Sequence, residues 1–173
     1  MEALLSSIPD YAKDLKLNLS AVLKQAELTE QQTWGTAVAT AIAARNSQLT
    51  RSILTEAQTH LSPEALTAAK SASAIMGMNN IHYRFGHLSG NEAYSSIPAR
   101  LRMQAIRTHG ADPVDFELWC TAVSAINGCG LCVAAHEKVL REKGMKEETI
   151  LAAVRIASVI HGTAAVLDAE TAV

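Results

Sequence analysis

Residues 34–38 read WGTAV and residues 119–123 read WCTAV. The two stretches lie 85 residues apart, and that offset keeps much of the chain in step without a gap. Leu66 falls on Leu151, Lys70 on Arg155, Ala72 and Ser73 on Ala157 and Ser158, Ile75 on Ile160, and Gly77 on Gly162. Alanine matches count for little in this composition, but tryptophans and glycines kept in step are harder to obtain by chance. The pattern predicts two related units, approximately 34–80 and 119–165, that pack their apolar faces together in a single domain spanning 1–173.

Each unit reads as helices. Ser62-Pro63-Glu64 is a helix start, with serine as cap, proline in the first turn and an acid at the positive end. It leads into a helix reaching about residue 77. Asp112-Pro113 opens another that carries VDFELWCTAVSAI to 126. Further helices are predicted over 9–18, 29–45, 47–59, from Cys129 to Gly144, and from Lys146 to Asp168, with a short one between Pro98 and Gly110. Thr29 is a candidate cap without the full capping box. Residues 79–98 read as an irregular middle, punctuated by Gly86, Gly90 and Pro98. No alternating strand pattern is sustained, so the fold class is all-α.

Composition agrees. Hydrophobic residues make up 49% of the 173, yet only 4% are aromatic, which suits closely packed helices of small and straight side chains. The formal net charge is -2 and basic runs are absent, so nucleic acid has no footing. The first residues lack the basic leader and apolar core of a signal peptide. No stretch reaches the ~18 uninterrupted apolar residues of a membrane span. The expected compartment is the cytoplasm, where thiols are usually reduced and a Cys-x-x-Cys pair is more often reactive or metal-binding than a structural staple.

That pair sits in residues 124–140, SAINGCGLCVAAHEKVL. Asn127-Gly128 is a turn signal, which places Cys129 at a helix start, where backbone N–H groups and the helix dipole stabilise a thiolate. Cys132 lies one turn on and His136 one turn further, all on one face. The two sulfurs can close a disulfide within one turn, and His136 can take or return a proton. In the predicted chemistry one cysteine attacks a hydroperoxide and becomes a sulfenic acid, the second condenses with it, and an outside dithiol resets the pair. A thioredoxin fold is a poor fit, because helical sequence precedes the motif. Two bland alternatives remain at this level. Cys129, Cys132 and His136 can supply three ligands of a zinc site, although no second pair follows. Alternatively the thiols are buried and inert.

Under the 85-residue offset Cys129 faces Ala44, Cys132 faces Ser47 and His136 faces Arg51. The shared frame does not need these side chains, which favours a site grafted onto a scaffold. Glu117 is either a solvated acid or a carboxylate that orients His136 or relays a proton. Cys120, Trp119 and Trp34 read as core. His161 reads as an interior or interface histidine. In the middle segment, His82 and His87 lack metal spacing, and Tyr83 and Arg84 read as packing and surface charge.

MGMNN at 76–80, FELW at 116–119, SAINGCxxCxxAHE at 124–137 and PDYAKDLKLNL at 9–19 resemble alkyl hydroperoxide reductase D, of the carboxymuconolactone decarboxylase-like superfamily. The likeness covers nearly the whole chain. It implies an all-helical, internally duplicated protomer in a homotrimer with no bound cofactor or metal. It further implies a peroxidase acting on organic hydroperoxides, reset by reduced lipoyl groups on a 2-oxoacid dehydrogenase acyltransferase and passing electrons to a peroxiredoxin partner. By that resemblance Cys132 is the cysteine oxidised to sulfenic acid. Cys129 is its proton donor and disulfide partner, the reverse of the order the helix start suggests. Glu117 and His136 join a proton relay. Leu131 departs from the pattern, which has a histidine just before the second cysteine. A leucine cannot move protons. Two rival readings are a decarboxylase of the wider superfamily, which would not need the cysteines, and a zinc-bound structural protein.

Overall fold

The computed structural model describes residues 1–172, and among them there is no strand. Nine α-helices follow in order: α1 (Glu2–Ser6), α2 (Lys13–Val22), α3 (Glu30–Ala44), α4 (Ser47–Ala57), α5 (Pro63–Leu88), α6 (Ala105–Thr108), α7 (Pro113–Ile126), α8 (Gly130–Glu142) and α9 (Glu147–Thr171). Short 3-10 turns cover Asp10–Ala12 and Glu92–Ser96. The fold is all-α, as the sequence predicts. The series α3, α4, α5 recurs as α7, α8, α9, and the recurrence shows in the packing too. α3 lies against α4 and α5 as α7 lies against α8 and α9.

The two series meet along α3 and α7. Trp119 is fully buried there, and a Cβ added to Gly35 would stand 2.2 Å from the Trp119 ring. Only glycine lets the indole lie this close to the α3 backbone. At the entry to this crossing, Asp115 accepts hydrogen bonds from Nε2 of Gln31 at 2.7 Å and Nε2 of Gln32 at 2.8 Å. The start of α7 is thereby tied to the start of α3. Asp112 caps α7 by accepting from the backbone of Val114 and Asp115. The opposite ends are tied as well: Asn46 caps α4 and donates from Nδ2 to Asp168 of α9 at 2.7 Å.

Several expected boundaries are corrected. The first long helix is Lys13–Val22 rather than 9–18, because Pro9 is followed by a 3-10 turn, and α1 precedes it unforeseen. Thr29 does form a capping box: its hydroxyl accepts from the Gln32 backbone while the Gln32 side chain accepts from its own. The largest correction is α5, which continues to Leu88 through residues expected to be irregular. Glycine weakens an isolated helix by only about 1 kcal/mol, and the extension is held by Arg84 on the Asn127 carbonyl and by Phe85 against Tyr94. The helix expected after Pro98 shrinks to Ala105–Thr108.

α9 is long and apolar enough to cross a membrane by length and composition, although Arg155 and His161 interrupt its apolar run. Half of its most apolar window is buried inside the protein, including Ile150, Ala153, Ile156, Ile160 and Leu167. A core helix of this kind passes the same test of composition.

Candidate active site

Helix α7 ends at Ile126, and Gly128 turns the chain with a φ of +65°. The turn is closed by the Cys129 backbone N–H, which donates to the Ser124 carbonyl at 3.1 Å. Cys129 is thereby delivered to the N-cap of α8, where its sulfur accepts from the Cys132 backbone at 3.3 Å. The two cysteines form a disulfide with their Cα atoms 5.3 Å apart. Cys129 is 0% exposed and Cys132 6%.

His136, one turn beyond Cys132, reaches back to α7. Its Nδ1 lies 2.6 Å from Oε2 of Glu117, and both side chains are largely buried, at 16% and 20% exposed. Glu117 is not a solvated surface acid. The other ring nitrogen, Nε2, lies 3.3 Å from the Met76 sulfur on α5. From there a buried polar chain crosses the bundle. Ser124 donates to the Met76 sulfur at 3.6 Å, Nδ2 of Asn80 donates to Ser124 at 2.9 Å, and Nδ2 of Asn127 donates to Oδ1 of Asn80 at 2.9 Å. Arg84 closes the series by donating to the Asn127 carbonyl. Met76, Asn80 and Ser124 are buried.

Three helices thus converge on the turn before the disulfide. Cys129, Cys132 and His136 share one neighbourhood, as their spacing suggested, and the fold brings Glu117 to them through His136. Met76, Asn80, Ser124 and Asn127 were missed. One signal for two of them was available: Met76 and Asn80 stand four apart, on one face of a helix, and a polar Asn on an apolar face demands a partner. Arg84 is corrected from surface charge to a clamp on the turn. Of the two readings of His161, interior is corrected: it faces outward on α9, and the interface reading stays open. Cys120 is buried core, and burial, reinforced by the nearby Glu117 charge, pushes its thiol well above the ordinary range. A thiol held protonated is unreactive.

Leu131, between the cysteines, is half exposed and borders a cavity of 870 Å³ walled by Tyr83, Phe85, Tyr94 and Ile97. Among the described residues no three His, Cys, Asp or Glu side chains are grouped to hold a metal ion. His136 turns both its nitrogens elsewhere, toward Glu117 and Met76.

A disulfide at a helix N-terminus, beside a histidine–carboxylate pair, is a thiol/disulfide exchange arrangement. The relatives agree. The chain is 68% identical over 170 residues to the alkyl hydroperoxide reductase AhpD of Solibacter usitatus, covering 98% of this chain and 96% of that one. The chain belongs to the AhpD family. The AhpD of Acidobacterium capsulatum is 61% identical over 98% of this chain and 93% of its own. That of Streptomyces coelicolor is 52% identical over 98% and 96%. The Carboxymuconolactone decarboxylase family profile matches residues 93–173, the part that holds the cysteines. This AhpD-family chain is a thiol/disulfide redox enzyme.

Proposed function

We propose that the chain reduces organic hydroperoxides through Cys129 and Cys132 and is reset by a dihydrolipoyl group. The observation that carries this is the disulfide at the start of α8, on the same seam as the Glu117–His136 pair. The relatives named alkyl hydroperoxide reductase support the choice of oxidant.

The steps balance as follows. The Cys132 thiolate attacks a peroxide oxygen, the O–O bond breaks, and the alcohol leaves with a proton. The resulting sulfenic acid is attacked by the Cys129 sulfur, an S–S bond forms, and water departs. An external dithiol then attacks Cys132, the S–S electron pair passes to Cys129, and a second exchange returns two thiols and a disulfide donor. Two features support that division of roles. Cys132 is the less buried of the two. Cys129 sits at the N-cap and accepts the Cys132 N–H, so a thiolate leaving there is stabilised. Glu117 and His136 serve as the proton relay.

The same reading extends to partners. A peroxiredoxin is the further electron acceptor and a lipoylated acyltransferase the donor, in a cytoplasmic antioxidant setting. A homotrimer is supported by the exposed Ile81, Phe85, Leu88, Tyr94 and Ile97, an apolar surface suited to another copy of the chain. The two repeat units, 34–80 and 119–165, form one domain in this reading.

The decarboxylase profile favours a second reading, an enzyme that does not use the cysteines. Intact mass and site-resolved alkylation separate the two. The reduced protein should lose two hydrogens with one equivalent of organic hydroperoxide, mapped to Cys129 and Cys132, and regain them with dihydrolipoamide. In Cys129→Ser, a sulfenic acid should be trapped on Cys132. Thiols that stay reduced under peroxide would sink the peroxidase.

A further inference from the structure

Met76 is the point on which two lines of hydrogen-bond donors converge. From one side come Asn127, Asn80 and Ser124, each donating to the next, with the Ser124 hydroxyl ending on the Met76 sulfur at 3.6 Å. The direction is fixed at its end, because a thioether has no hydrogen to donate, and Nδ2 of Asn80 also approaches the Met76 sulfur, at 3.8 Å. From the other side comes Nε2 of His136 at 3.3 Å. A thioether sulfur can accept hydrogen bonds but has no proton to give. An Nε2 that engages it as a hydrogen-bond partner must therefore carry a hydrogen. The opposite ring nitrogen shares a second hydrogen with Glu117 across 2.6 Å.

We propose that Met76 is a positioning residue for the Glu117–His136 pair, holding the proton on Nε2 of His136 so that the disulfide form of the site stores two hydrogens on that pair. The inference rests on the relay role proposed above for Glu117 and His136. It adds where the protons stand before the donor arrives. When a dithiol opens the disulfide, the sulfur that leaves as thiolate needs a proton, and this pair supplies it. The choice of sulfur as acceptor has a chemical rationale. Methionine is a weak acceptor, so it orients the imidazole without holding it as a carboxylate would. The ring is fixed in one protonation pattern yet can release its hydrogen. Burial of Met76, 1% exposed, keeps water from taking the sulfur's place.

Nitrogen-15 spectra of the full chain with labelled histidine rings, in the disulfide state, read the proton positions directly. His136→Gln assigns the signals by their disappearance. Wild type should show a protonated-type Nε2 for His136; an unprotonated Nε2 there overturns the proposal, whatever any variant does. Met76→Leu keeps an apolar side chain of similar size and removes the acceptor. It should lose the distinct Nε2–H signal to exchange, and the rate of disulfide reduction by dihydrolipoamide should fall about tenfold, the effect of one lost hydrogen bond in the rate-limiting state. An unchanged signal and unchanged rate overturn the assignment. If His136→Gln itself is reduced as fast as wild type, the relay reading fails, and the wild-type nitrogen signature still decides whether Met76 fixes the ring proton.

Discussion

Nδ1 of His136 lies 2.6 Å from Oε2 of Glu117, a hydrogen bond between two largely buried side chains separated by 19 residues. It joins α7 to α8 beside the disulfide and turns an acid within an apolar helix into part of a site. Glu117→Gln preserves shape and hydrogen-bonding capacity but cannot carry the charge. The expected result is a loss of about a hundredfold in peroxide-dependent disulfide formation, typical of a removed acid–base group. Stopped-flow tryptophan fluorescence with intact-mass endpoints measures it. A rate within twofold of wild type would leave the pair with a purely structural role.

Leu131 occupies the position before Cys132 and is 49% exposed. Leu131→His places a titratable ring beside the disulfide without crowding the core. The peroxide step should accelerate by about a hundredfold, the low end of acid–base assistance. Reduction by dihydrolipoamide should change much less, since the proposed Glu117–His136 relay already supplies the proton for the leaving sulfur. Separate single-turnover measurements of the two half-reactions test this, and no change in the peroxide step would sink it.

Gly35 meets Trp119 at the crossing of α3 and α7. A Cβ at 2.2 Å from a fully buried indole forces a shift that the surrounding core resists. Alanine gains about 1 kcal/mol of helix propensity over glycine. Overpacking at this distance costs about 3 kcal/mol, the upper end of its usual range, so Gly35→Ala should lose about 2 kcal/mol net. Urea unfolding at constant m-value reports the difference; an equal or higher midpoint would show that the indole can move. The Trp119 N–H has no hydrogen-bond partner among the described residues, so this contact rests on packing alone.

His109 stacks on Phe116 with ring centroids 3.9 Å apart, and its Nδ1 accepts from the Ala111 backbone at 3.2 Å. Burial holds its pKa below the ordinary 6.5, against the opposing charges of Glu117 and Asp112. The native state therefore favours neutral His109, and acid favours the unfolded chain, which binds the proton more readily. This contribution is fully present above pH 6.5 and is lost as pH falls through the depressed native value. The stability advantage of wild type over His109→Gln should narrow between about pH 7 and pH 5. Urea midpoints across that range check it, and a constant or widening gap would contradict the sign.

Much of the fold was legible because its signals are local. Ser62-Pro63 and Asp112-Pro113 act on their own first turns, so those helix starts are where the sequence put them. The site was half legible for the same reason. Cys129, Cys132 and His136 share one helical face, and face-sharing follows from spacing alone. The α5 extension through Gly86 was not legible, because isolated propensity opposes it and the contacts that hold it, Arg84 on Asn127 and Phe85 on Tyr94, come from distant parts of the chain.

By itself the sequence determined the helical class, the doubled order of helices and the placement of Cys129 at a helix start, all consequences of short-range periodicity and turn chemistry. The tertiary structure alone decided what faces those residues. Glu117 reached His136, and Met76 and Asn80 reached Ser124, across separations of 19 to 60 residues. No local pattern encodes such meetings. They follow from how α5, α7 and α8 must cross to bury their small apolar faces, and burial then obliges each polar group to find the partner that the crossing supplies.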